Sequence, residues 1–211
     1  MIPAPTDDRL SGMSLYRRFK DWKEVSRWEA KGRPSPPPHA IKQRVLREFK
    51  DRYGLEILVE TGTFKGDMME AMKKDFRQLY SIELAPHFYE RAMQRFINER
   101  HIEILQGDSG KVLETLVPKL DGPTLFWLDG HYSKGDTARG DDDTPIMQEL
   151  GHIFSRADLK SVILIDDARC FMGQTEQVYP AIESVREFVA KHRPDLSFEV
   201  DTDCIRLAPK S

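Results

Sequence analysis

Glu60, Glu83, Asp108, Asp129, Asp166 and Asp167 are acidic residues that each close or follow a short apolar run. If those runs are strands of a parallel sheet, their carboxyl ends converge on one edge, with neighbouring strands about 4.8 Å apart. The carboxylates would then line a single crevice. Unpaired, so many negative charges repel and raise one another's pKa, which a cationic ligand, a metal ion or both would relieve. The most pointed combination is Phe126-Trp127-Leu128-Asp129-Gly130-His131-Tyr132 with Ile163-Leu164-Ile165-Asp166-Asp167. Adjacent strands would present Asp129, Asp166 and Asp167 at one point, an all-oxygen set suited to a hard ion such as Mg²⁺. Successive strand residues face opposite sides, so Asp166 and Asp167 share an ion only if the backbone bends between them. In the competing arrangement one aspartate binds and the other caps a turn or pairs with Arg169.

The remaining acidic residues suggest a small-molecule site. Glu60-Thr61-Gly62-Thr63 interrupts the first apolar run with a turn on which a ligand could lie, Gly62 supplying backbone angles that other residues avoid. Glu83 follows that turn by about 20 residues, the separation at which an acidic side chain meets ribose hydroxyls in dinucleotide-type sites. The alternative for Glu83 is a solvated carboxylate ahead of Pro86. Asp108 and Ser109 are both favoured helix N-caps. They either cap the following helix only or also meet the edge of a base.

The elements that must position these residues alternate regularly. Leu55–Val59 is short and rich in branched aliphatics, as in a strand buried on both faces. A helix follows over Asp67–Phe76, with Asp67 and Glu70 at capping-box spacing. The strand Gln78–Leu84 and a helix opened by Pro86 come next. Ile102–Gln106, Thr124–Leu128 and Ser161–Ile165 are further strands; a helix containing Ile146, Leu150 and Ile153 starts after Thr144-Pro145. Tyr179–His192 reads as the last helix, and Ser197–Val200 with Cys204–Leu207 as a hairpin turning at Asp201-Thr202-Asp203. Such alternation implies right-handed crossovers and an α/β fold with a mostly parallel, seven-stranded, Rossmann-like sheet closed by an antiparallel hairpin.

Ahead of this domain, placed at residues 39–211, residues 1–38 read as an arm. Leu15, Phe19, Trp22, Val25 and Trp28 recur every three or four residues among basic ones, describing an amphipathic helix with an aromatic stripe. That stripe packs on its own domain or on a second copy in a homodimer, with a lid over the crevice as the sharper alternative. Arg33-Pro34-Ser35-Pro36-Pro37-Pro38 is a stiff, extended spacer. Ile41–Tyr53 reads as a helix with Ile41, Val45, Leu46 and Phe49 inward, stopped by Gly54.

The 211 residues carry a net charge of -3, which argues against a nucleic-acid partner. No apolar stretch approaches the roughly 18 residues that span a bilayer, and the N-terminus lacks a signal peptide's apolar core. A soluble, cytoplasmic protein without membrane partners is expected, its two cysteines, Cys170 and Cys204, reduced.

In order and spacing, VETGTFKGD, YSIEL, LQGDSG, FWLDGHYS and ILIDDAR resemble the macrocin O-methyltransferase group, a metal-assisted branch of the class I S-adenosylmethionine-dependent methyltransferases. The resemblance spans His39 to Pro209. It implies S-adenosylmethionine (SAM) held by Glu60, Thr61, Gly62, Thr63, Glu83, Asp108, Ser109 and Asp129, and Mg²⁺ held by Asp129, Asp166 and Asp167. Chelation of two acceptor oxygens by the ion would fix a hydroxyl and lower its pKa. His131, matched to pH 7, is the candidate general base beside Asp129, with Tyr132 the weaker one and a merely solvated histidine the alternative. The loop Ser133–Asp143, SKGDTARGDDD, departs from the group, so the expected acceptor is defined only as a small polar, sugar- or polyol-like hydroxyl compound. The rival functions are a nicotinamide-dependent dehydrogenase, a metal-dependent phosphoester hydrolase and a non-catalytic cofactor-binding protein.

Overall fold

The computed structural model describes residues 15–130, 145–173 and 179–210. In chain order its elements are α1 (Leu15–Ala30), α2 (His39–Tyr53), β1 (Ile57–Thr61), α3 (Asp67–Met72), β2 (Gln78–Glu83), α4 (Pro86–Arg95), β3 (Ile102–Gln106), α5 (Ser109–Leu116), β4 (Thr124–Leu128), α6 (Ile146–Phe154), β5 (Ser161–Ile165), α7 (Ile182–His192), β6 (Leu196–Asp201) and β7 (Cys204–Pro209). The strands form one sheet in the order β3-β2-β1-β4-β5-β7-β6. Pairing is parallel from β3 through β5 and antiparallel at β5–β7 and β7–β6. β1 and β4 are neighbours from which the chain departs in opposite directions. Such a reversal opens a crevice beyond the strands' carboxyl ends.

Alternation along each strand divides the core in two. Val59, Ile82, Phe126, Leu128, Ile163 and Ile165 pack with residues of α5, α6 and α7. Leu58, Leu79, Leu125, Trp127, Val162 and Leu164 pack with residues of α2, α3 and α4. With a period of two, Glu60, Asp129 and Asp166 continue the α2 side, and Thr61 continues the α5 side.

Several element ends differ from the sequence reading, each for a local reason. α2 ends as expected at Gly54, whose left-handed φ of 61° lets its N–H reach the Lys50 carbonyl. The Leu55 N–H goes to the same Lys50 oxygen at 2.9 Å, so strand pairing starts only at Ile57, and β1 runs on past Val59 to Thr61. The capping box does not form: Gly66, at φ 75°, holds the N-cap position and no side chain caps α3. α3 stops at Met72, and the Asp75 N–H turns back to the Met72 carbonyl at 2.8 Å. α7 starts at Ile182 rather than Tyr179, since Pro180 disfavours a helical backbone at Tyr179 before it and Ala181 is extended. The β6–β7 turn places Thr202 at φ 53° and Asp203 at φ 60°, the pair of positive angles that a tight hairpin needs.

The arm is only partly covered. Val25 is buried, whereas Phe19 and Trp22 are 53% and 44% exposed, so α1 does not bury its whole aromatic stripe in its own domain. Trp28 Nε1 donates to the Pro34 carbonyl at 2.7 Å and ties the helix to the proline segment. Pro37, expected to be spacer, is buried and lines a cleft with Ile41, Lys42, Trp127 and Asp166. No described helix is long and apolar enough to cross a membrane.

Candidate active site

The carboxyl edge of the sheet is stitched by backbone hydrogen bonds that outrun the strands. Asp129 N–H donates to Thr61 O at 3.1 Å, Asp166 N–H to Leu128 O at 3.0 Å, Gly62 N–H to Ile82 O at 2.9 Å and Gly107 N–H to Glu83 O at 3.0 Å. These bonds bring the turns after β1, β2, β3, β4 and β5 together. Gly62 is what permits it: at φ 85° a Cβ there would lie 2.5 Å from the Asp129 carbonyl oxygen. No side chain fits between the two turns.

Glu60 is buried and accepts from Ser81 Oγ at 2.5 Å, and Ser81 Oγ lies 2.6 Å from Thr63 Oγ1. Burial pushes the Glu60 carboxyl up to about 8; the Ser81 hydrogen bond opposes this and the nearby Glu83 charge adds to it. Glu83 is buried too, so it is not the solvated carboxylate weighed above. One of its oxygens accepts from the Ala85 N–H at 2.8 Å and the other from the Phe64 N–H at 2.7 Å. Glu83 therefore joins the turns after β1 and β2. Each oxygen keeps acceptor capacity, since a carboxylate has about four lone-pair sites.

Asp108 caps α5, accepting from the Gly110 N–H at 2.9 Å. Ser109 is buried in the first turn beside Thr61, whose Oγ1 accepts from the Gly130 N–H at 3.2 Å. Glu149 of α6 completes this cluster, fully enclosed with neither carboxylate oxygen in a hydrogen bond of ordinary geometry. Burial pushes it up to about 7, the Ser109 and Thr61 hydroxyls pulling it down and Asp108 up.

Asp166 and Asp167 meet at one point, and Asp129 is near enough to act on it electrostatically. The expected bend is present: Asp167 sits at φ 56°, ψ 44°, which turns it back towards the side Asp166 faces. What stands at that point is Lys42 of α2. Lys42 Nζ donates to Asp166 Oδ2 and lies 3.8 Å from Asp167 Oδ1. Burial works against the ammonium, but Asp166, Asp129 and Asp167 together hold its pKa above the usual lysine value. Asp129 is pushed well above the usual carboxylate range by burial first and by Asp166 second, with Lys42 opposing. Asp166 shifts the same way for the same leading cause. Lys42 thus pairs directly with Asp166 and Asp167, and Asp129 and Asp166 both hold their protons to higher pH than an ordinary carboxylate. Asp167 Oδ1 also accepts from Arg169 at 2.9 Å, the pairing weighed above as the competing arrangement.

The donor chemistry of the three aspartates suits Mg²⁺, but their arrangement does not, because Lys42 takes the Asp166 oxygen that an ion would need. Among the described residues no group of three or more His, Cys, Asp or Glu side chains is placed to hold a metal. His131, Tyr132 and the loop Ser133–Asp143 lie outside the described residues.

Lys42 and Glu149 escaped the sequence reading, although a signal was present for each. Lys42 shares the helical stripe of Val45, Leu46 and Phe49, and Glu149 that of Ile146, Leu150 and Ile153. A charge on an apolar stripe is a buried charge that needs a partner.

The strand order, the reversal between β1 and β4 and the closing hairpin define the fold of the class I methyltransferases. Its solved representatives include the SAH-bound methyltransferase PaMTH1 of Podospora anserina, with TM-score 0.57 and 14% identity over 100% of both chains. The O-methyltransferase TomG of Streptomyces achromogenes, involved in tomaymycin synthesis and in complex with SAM, has TM-score 0.57 and 19% identity over 99% of this chain and 92% of its own. An O-methyltransferase of Bacillus cereus in complex with SAH has TM-score 0.56 and 13% identity over 97% and 96%. At such identities the likeness is one of fold. No protein-family model and no curated protein matches the chain.

Proposed function

We propose that this protein is a SAM-dependent O-methyltransferase acting on a hydroxyl of a small polar, sugar- or polyol-like acceptor. The observation that carries the reading is the Gly62 turn pressed against Asp129 at the β1/β4 reversal, with Glu83 braced by two backbone N–H groups beside it. TomG and the Bacillus cereus protein, O-methyltransferases of this fold that hold SAM and SAH, support it.

SAM supplies an electrophilic methyl group on a sulfonium. Glu83 accepts hydrogen bonds from the ribose diol, its orientation already set by the Phe64 and Ala85 N–H groups. Asp108 and Ser109 present the start of α5 to the adenine edge, while Thr61 and Thr63 flank the Gly62 turn that receives the amino-acid end. Glu60 places a carboxyl beside the sulfonium, where a positive charge favours its ionised form. Asp129 faces the acceptor, and His131 takes the acceptor hydroxyl's proton on an imidazole nitrogen, leaving the oxygen free to attack in line. The Mg²⁺ assistance suggested by the sequence needs Lys42 to release Asp166, so no step runs through an ion. The phosphoester-hydrolase alternative needs the same carboxylates free and is disfavoured on that ground.

Transfer of a labelled methyl from SAM to a panel of sugars and polyols tests the reading, run on the wild type and on Asp129→Asn. The wild type should label at least one acceptor class, and Asp129→Asn should keep SAM binding and lose transfer. Undiminished transfer by Asp129→Asn would remove Asp129 from the chemistry.

A further inference from the structure

We propose that Lys42 is the resident cation of this site: its ammonium, carried on α2, occupies the Asp166 oxygen and the space beside Asp167 that a divalent ion would need. The side chain is 18% exposed and that of Asp166 2%, so the pair is largely removed from water. Lys42 is fixed from its own helix, where Ile41, Val45 and Leu46 are buried, and Pro37 and Trp127 line the same cleft. The opposite side of the cluster is held as well. Arg169 donates to Asp167 and to Asp203, and Asp203 accepts the Arg169 N–H at 2.9 Å.

The ammonium and a divalent ion exclude each other here. Mg²⁺ sits about 2.0–2.1 Å from each ligating oxygen, so an ion on Asp166 would compete for the oxygen that accepts from Lys42 Nζ. It would also meet a positive charge a few ångströms away in a water-poor site, where like charges are weakly screened. Lys42 pairs with Asp166, and Arg169 is shared between Asp167 and Asp203, so two cations already stand among these four aspartates. An ammonium tethered by the chain is present at every turnover and cannot be stripped by a chelator. The assignment of the cation rests on contacts alone; only its consequence, methyl transfer insensitive to chelators, rests on the methyltransferase reading.

Mn²⁺ is the probe, followed by the loss of its free electron paramagnetic resonance signal on binding to the full chain. The wild type should bind no Mn²⁺ that Asp166→Asn abolishes. Lys42→Met should gain one such ion, at least about tenfold tighter than anything in the wild type, because three carboxylates are then left without their ammonium. The double variant Lys42→Met/Asp166→Asn should lose it. Lys42→Gln, which can still donate to Asp166, takes the place of the Met variant if circular dichroism shows the latter unfolded. Mn²⁺ held by the wild type and lost in Asp166→Asn would overturn the proposal, as would a folded lysine variant that gains no ion. Failure of the wild type to take up SAM in a separate titration would end the methyltransferase reading and leave the Mn²⁺ result standing.

Discussion

Replacing Glu149 by Gln should stabilise the protein at alkaline pH and leave it nearly unchanged in mild acid. Glu149 sits on the buried stripe of α6 and is 1% exposed, and among the described residues neither oxygen has a hydrogen bond of ordinary geometry. Burial moves its titration from 4.5 to about 7. Between those values the folded chain holds a proton that the unfolded chain has released, so stability falls as pH rises through this window. At 1.36 kcal/mol per pH unit the full penalty, reached above pH 7, is about 3 kcal/mol. Glutamine has nearly the same shape and cannot ionise, so it escapes that penalty. Glu60, raised to about 8, adds a fall of the same sign that continues to higher pH, but it is common to both proteins and cancels in the difference. Urea unfolding of the wild type and of Glu149→Gln at intervals from pH 5 to pH 9 reads the effect. The two stabilities should lie close at pH 5 and diverge to about 3 kcal/mol in favour of Glu149→Gln by pH 8. Parallel curves would refute the reasoning, since an ionised Glu149 would then cost the fold nothing.

Gly62→Ala should lose at least about 3 kcal/mol in the same assay, because the left-handed backbone alone costs roughly 1–2 kcal/mol and the added carbon meets the Asp129 carbonyl. A stable Gly62→Ala protein that binds SAM normally would show that the two turns are not pressed together. Glu60 should lose its proton when a sulfonium binds beside it, so SAM affinity should rise about tenfold between pH 7 and pH 9 and stay flat in Glu60→Gln, as calorimetry would report. An equal rise in Glu60→Gln would move the pH dependence to another group.

Much of this architecture can be read along the chain because its signals are local. β3, β4 and β5 fall on the residues expected, each a short apolar run ended by a polar turn. The demand that the backbone bend between Asp166 and Asp167 comes from strand alternation alone, and the positive φ of Asp167 meets it. What stayed hidden depends on contacts across the fold. Asp67 and Glu70 have capping-box spacing, but Gly66 already holds the N-cap position. Lys42 and Asp166 are 124 residues apart, and nothing near Asp166 in the sequence announces an ammonium. The negative cluster was therefore legible while the cation that balances it was not.

Methyl transfer at this site requires SAM to be held at the β1/β4 reversal with Glu83 on its ribose. Calorimetric titration of SAM into the wild type and into Glu83→Gln measures this directly. One SAM should bind per wild-type chain, and Glu83→Gln should bind at least about tenfold more weakly, the loss expected for a charge-assisted hydrogen bond. Absence of binding by the folded wild type, or equal affinity in the two proteins, would contradict it.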